Sequence, residues 1–68
     1  MEIKANILKT KEMRKINLEK GSTVEYLLKK INLKPDTLIV MSNNKPIPID
    51  DILNNNQEIT IIQVASGG

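Results

Sequence analysis

Gly21-Ser22-Thr23-Val24-Glu25-Tyr26-Leu27-Leu28-Lys29-Lys30-Ile31 is the stretch of this chain with helical periodicity, and its reading decides the fold. Ser22-Thr23-Val24-Glu25 has the spacing of a capping box, in which the Ser22 hydroxyl accepts from the amide three residues on and Glu25 reaches back. Val24, Leu27, Leu28 and Ile31 fall at i, i+3, i+4 and i+7, forming one apolar stripe with Glu25, Lys29 and Lys30 turned to solvent. Asn32 and the Lys34-Pro35 step end the helix, because the residue before a proline avoids helical dihedrals. One short amphipathic helix needs an apolar surface to lie on, and the flanking sequence supplies strands.

Upstream, Glu2 to Leu8 alternates, with Ile3, Ala5 and Ile7 on one face and Lys4, Asn6 and Leu8 on the other. Lys9 to Met13 is polar and reads as a basic turn, after which Arg14 to Leu18 resumes alternation through Ile16 and Leu18. Downstream, the β-branched run within Thr37–Ser42 predicts a strand, and Asn43-Asn44 a turn whose residues tolerate left-handed dihedrals. Pro46 and Pro48 bracket Ile47 and allow a short edge strand at most. Asp50 to Leu53 reads as a helical turn, Asn54-Asn55-Asn56 as a plain loop, and Glu58 to Val64 as the last strand. Strand, strand, helix, strand, short strand, strand describes an α+β protein, a β-grasp with a mixed four- to five-stranded sheet and one helix packed on one face. Its expected core is Ile3, Ala5, Ile7, Ile16, Leu18, Val24, Leu27, Leu28, Ile31, Leu38, Val40, Ile52, Leu53, Ile59 and Ile61. Residues 1–64 form the expected domain and residues 65–68 a flexible tail.

The 68 residues allow one core and carry neither cysteine nor histidine, which removes disulfides, thiolate nucleophiles, common zinc sites and the usual neutral-pH base. No catalytic residue and no metal ligand set is therefore expected in this chain. Adjacent Asp50 and Asp51 lack a third ligand and read as part of a turn. A formal net charge of +2 and a single aromatic, Tyr26, argue against a nucleic-acid platform. Tyr26 itself reads as a partly buried packing residue. No apolar run is long enough to span a bilayer, and Met1-Glu2-Ile3-Lys4 begins with strand-like alternation, so no membrane contact and a cytoplasmic location are expected.

The Gly21-Ser22-Thr23-Val24 segment, Leu27-Leu28, Asn44-Lys45-Pro46-Ile47-Pro48 and the ending Val64-Ala65-Ser66-Gly67-Gly68 together resemble the sulfur-carrier branch of the ubiquitin-like proteins. The likeness spans the chain and is nearer to ThiS of thiamin synthesis than to MoaD of molybdopterin synthesis; small archaeal modifiers share the pattern. The resemblance implies that a ubiquitin-activating-type enzyme, using ATP and Mg, adenylates the Gly68 carboxylate. A sulfur donor then converts it to a thiocarboxylate, which passes sulfur on to thiazole synthase or the large molybdopterin synthase subunit. The alternatives are attachment to lysines through the same glycine, or a non-covalent interaction module. The chain would bind no cofactor of its own and be monomeric when free. At usage of about 7%, two glycines in two given positions arise by chance roughly once in 200 chains. Lacking Cβ atoms, Gly67 and Gly68 suit a narrow cleft, and Ala65 and Ser66 extend the reach to at most roughly 13–14 Å beyond Val64.

Alternation also places Leu8, Ile39, Met41, Ile62 and Val64 on the sheet face opposite the helix, where strands one, three and five would be neighbours. These five form an expected partner-docking patch. Lys9, Lys11, Arg14 and Lys15 read as a solvated hairpin turn.

Overall fold

The computed structural model describes residues 1–64. Five strands, β1 (Glu2–Ile7), β2 (Glu12–Asn17), β3 (Leu38–Ser42), β4 (Lys45–Pro46) and β5 (Glu58–Gln63), form one sheet with the order β2-β1-β5-β3-β4. A helix, α1 (Val24–Lys30), lies in the connection between β2 and β3, followed by a single 3-10 turn at Pro35–Thr37. β1 pairs antiparallel with β2 and parallel with β5, while β3 runs antiparallel to β5 and to β4. The sheet is mixed, as the element order requires, and the fold is the β-grasp.

Period-two alternation sends Ile3, Ala5 and Ile7 of β1, Ile59 and Ile61 of β5, and Leu38 and Val40 of β3 into the core, where α1 contributes Val24, Leu27 and Leu28. Ile3, Ala5, Val24, Leu27, Leu28, Ile59 and Ile61 are wholly shielded from solvent. Ile16, Leu18, Ile31 and Leu53 complete the core, and no polar side chain is buried among the described residues. Ile52 departs from the expected core and is 58% exposed. The reason is that Asp50–Leu53 forms no helical turn. A turn closes at Asp51, whose N–H donates to Pro48 O at 3.1 Å, and Ile52 then makes an extended bridge with Thr23. Neighbouring residues in extended chain point to opposite sides, so burying Leu53 exposes Ile52.

The same bridge moves the start of the helix by one residue. Val24 N–H donates to Asp51 O and Leu53 N–H to Ser22 O, which holds Thr23 extended (φ −98°, ψ 167°) as the N-cap. Thr23 Oγ1 accepts from Tyr26 N–H at 3.3 Å, whereas Ser22 Oγ donates to Glu19 O at 2.7 Å in the preceding turn. The cap is therefore Thr23, not Ser22, and Glu25 is not placed to close a capping box. Tyr26 is half exposed instead of packed, with the Lys30 ammonium 6.0 Å from its ring centroid. At the other end Asn32 (φ 64°) donates to Lys29 O and Leu33 to Leu28 O, a Schellman closure with asparagine in the left-handed position and Leu33 packed on the core.

Asn43 (φ 53°) and Asn44 (φ 64°) form the two-residue turn between β3 and β4, both left-handed as a type I′ hairpin requires. β4 is centred earlier than Ile47: Ile47 N–H donates to Val40 O and its side chain packs on the core. The asparagine triplet is more than a plain loop. Asn55 Oδ1 accepts from Glu2 N–H at 3.0 Å, Asn56 (φ 64°) donates to Glu2 O at 2.8 Å, and Gln57 Oε1 accepts from Asn54 N–H at 2.8 Å. These bonds tie the start of β1 to the start of β5. The first hairpin turn is tighter than its polar run suggests, since Lys11 (φ 56°) donates to Leu8 O and β2 begins at Glu12. Among the described residues no helix is long and apolar enough to cross a membrane.

The shifted cap has a direct check. Thr23→Ala should lower stability to urea by about 0.5–2 kcal/mol, the usual cost of a lost N-cap. Ser22→Ala, which removes a bond on the surface, should stay within about 0.5 kcal/mol.

Candidate functional site

The sheet face away from α1 is built by the residues that the core leaves over. Cross-strand register aligns them in rows: Lys15, Lys4 and Glu58; then Met13, Asn6, Thr60, Met41 and Pro46; then Ile62 opposite Ile39. Leu8 continues β1 beyond its last paired residue, held by Leu8 N–H to Ile61 O at 3.2 Å, and Val64 continues β5 through Val64 N–H to Thr37 O at 3.0 Å. The face therefore changes character along the strands. Charged groups occupy the end where β1 and β5 begin, and aliphatic groups the end where they finish.

All five residues expected for the docking patch belong to this face. Leu8, Ile39 and Val64 are 48%, 42% and 56% exposed, and Met41 and Ile62 are partly buried. Ile39 and Ile62 are direct cross-strand partners, a pairing that brings Cβ atoms to about 4.5–5.5 Å. Met13, half exposed, joins them as the diagonal neighbour of Leu8 across the β1–β2 ladder. The polar run Lys9–Met13 hides it in the sequence; counting back by twos from Asn17 and Lys15 puts it on the open face. A shallow depression lined by Met41, Asn43, Asn44, Glu58, Thr60 and Ile62 adjoins the aliphatic end. No group of three or more His, Cys, Asp or Glu is placed to hold a metal ion among the described residues. Ala65, Ser66, Gly67 and Gly68 lie outside the described residues, and the chain reaches them from Val64, at the aliphatic end of this face.

A mixed five-stranded sheet with a parallel central pair, one helix on one face and an open face whose apolar end includes Val64 defines a ubiquitin-like β-grasp protein. The family model for small archaeal modifier protein 2 matches residues 1–65, and the chain belongs to that family. An uncharacterized protein of Archaeoglobus fulgidus is 31% identical over 48 residues, which span 71% of this chain and 70% of that protein.

Because the patch side chains stand outside the core, they should be replaceable without unfolding. Ile39→Ser should cost no more than about 1 kcal/mol in chemical denaturation. Ile61→Ser, the neighbour of Ile62 facing α1, should cost about 2–5 kcal/mol.

Proposed function

We propose that this protein is a covalent carrier whose Gly68 carboxylate is activated by a ubiquitin-activating-type enzyme and then transferred or converted, the folded domain serving as the handle. The observation that carries this reading is the aliphatic end of the open face, Leu8, Ile39, Met41, Ile62 and Val64, placed where the chain leaves the sheet towards Gly67 and Gly68. Membership of the small archaeal modifier protein 2 family supports it.

A carboxylate is a poor electrophile, so the first step joins it to the α-phosphate of ATP with loss of pyrophosphate. ATP and Mg belong to the activating partner, and this chain supplies no acid, base or nucleophile and is no enzyme. Its part is to dock through the patch and to present an unhindered carboxylate, since glycine has no Cβ to obstruct the approach. Attack on the acyl-adenylate by a lysine amine gives an isopeptide and AMP; attack by hydrosulfide gives a thiocarboxylate and AMP. The family description favours attachment to protein lysines at least as strongly as sulfur carriage, and both proceed from the same activated Gly68. If sulfur carriage is the outcome, thiazole synthase is the first acceptor to assay and the large molybdopterin synthase subunit the second.

The product separates the two branches. With its activating enzyme, ATP and a sulfur source, a sulfur carrier gains about 16 Da at its terminus by exchange of oxygen for sulfur. A modifier instead yields lysine-linked conjugates in cells. Deletion of Gly68 should abolish both products, and retention of either would refute the assignment. Ile39→Asp and Ile62→Asp should each lower kcat/KM for adenylation by at least about tenfold through KM, as loss of an interface anchor does. Ile52→Asp, outside the open face, should leave it unchanged.

A further inference from the structure

The two edges of the sheet are built differently. β4 is two residues long and ends in Pro46, whose missing N–H falls on the outer side because Ile47 N–H, the next inward donor, bonds Val40 O. β2 is six residues long, almost wholly exposed, and pairs only with β1.

Its outward groups follow from the ladder. The Met1 ammonium donates to Leu18 O at 2.7 Å and Leu18 N–H donates to Met1 O at 2.9 Å, so this pair is bonded in both directions. In an antiparallel ladder bonded and unbonded pairs alternate. The bonded pairs are then Ile3–Ile16, Ala5–Arg14 and Ile7–Glu12, and Met13, Lys15 and Asn17 turn their N–H and C=O groups away from β1. Asn17 O, which accepts from Lys30 Nζ at 3.5 Å, shows that direction. The charges around this edge are mostly of one sign: Lys4, Lys9, Lys11, Arg14 and Lys15 against Glu2 and Glu12 over residues 2–17, with Lys30 reaching over from α1.

Lysine on a strand edge discourages pairing with a second copy, because like charges meet. The same charges favour an anionic strand. The geometry points to β2 as a docking edge for an extended acidic segment of a partner protein, which adds as a sixth strand on the outward amides and carbonyls of Met13 and Lys15. Carboxylates on the two faces of that strand meet Lys15 on the open side and Arg14 and Lys30 on the helix side. This edge lies on the far side of β1 from the Ile39–Ile62 pair and shares only Met13, through its backbone, with the aliphatic patch.

The test uses the full chain labelled with ¹⁵N and the synthetic peptide Thr-Val-Glu-Asp-Val-Glu-Thr, whose β-branched residues favour extension and whose carboxylates project from both faces. A second peptide with proline in place of both valines has the same charge but cannot complete the ladder, because one of these two positions turns its N–H towards β2 in either register. Saturable shifts centred on the Met13 and Lys15 amides are expected, with their hydrogen exchange slowed at least about tenfold by the new bonds. The proline peptide should bind at least about tenfold more weakly. Lys15→Pro, which deletes an outward N–H and leaves the β1 ladder intact, should do the same to the first peptide. Combined Arg14→Glu and Lys15→Glu gives a second check that keeps every backbone donor and should weaken binding by at least about tenfold. Equal binding of both peptides, shifts centred on Leu8, Ile39 and Ile62, or no saturation at millimolar peptide would overturn the inference. Displacement of the peptide by oligothymidylate with the same shifts would overturn it too, in favour of general anion binding.

Discussion

Parallel pairing of β1 with β5 is the constraint on which the rest of the molecule hangs. Parallel neighbours cannot be joined by a tight turn and need a long crossover, and here nearly the whole chain between Ile7 and Glu58 serves as that connection. The pair is central in the sheet, buries Ile3, Ala5, Ile59 and Ile61 completely on one side, and offers α1 its floor. The asparagine and glutamine bonds at residues 54–57 lock its starting end, since Glu2 exchanges bonds with both Asn55 and Asn56. Parallel direction then sends both strands out at the same end. Leu8 and Val64 become neighbours of one surface region, although they stand at opposite ends of the sequence.

That shared exit gives the open face its polarity. The alternation that buries Ile59 and Ile61 turns Glu58, Thr60 and Ile62 outward in order, and β1 matches it with Lys4, Asn6 and Leu8. Charge is placed where the strands begin and aliphatic surface where they end. Aliphatic side chains on a solvated sheet face are ordinary when scattered; here they are grouped by register at the end from which the C-terminal segment departs. In the proposed activation of Gly68, this aliphatic end is the docking handle.

Period-two alternation in β1, β3 and β5 and the i, i+3, i+4, i+7 stripe in α1 are local signals, which is why the fold class, nearly all of the core and the placement of Leu8, Ile39, Met41, Ile62 and Val64 on the open face were legible in the sequence. What escaped depends on contacts distant in sequence. Ser22 and Thr23 are equally good caps by composition, and only the bridge from Thr23 to Ile52 selects between them. That bridge also exposes Ile52, which beside Leu53 reads as core. Met13 hides within a charged run because Lys11 adopts a left-handed dihedral that shortens the turn, a choice a lysine does not advertise. Residues 65–68, the expected reactive segment, lie outside the described residues.

Glycine usage bears on that segment. Within residues 1–64 the chain has one glycine, Gly21, at φ 92°, wider than the left-handed well that other side chains tolerate. Every other left-handed position among the described residues, with φ between 53° and 64°, is filled by asparagine or, at residue 11, lysine. Asparagine adopts this conformation at lower entropic cost than glycine, because the unfolded chain has less freedom to lose. A domain of 68 residues has little stability to spare, so sparing use of glycine fits its size. Against that economy, two consecutive glycines at 67 and 68 stand apart from the chain's own habit. The left-handed positions of the described turns, taken by asparagine or lysine, give no precedent for glycine at 67 and 68; under the proposed activation of Gly68, a backbone bare of Cβ atoms is what a narrow active-site cleft of the partner would admit.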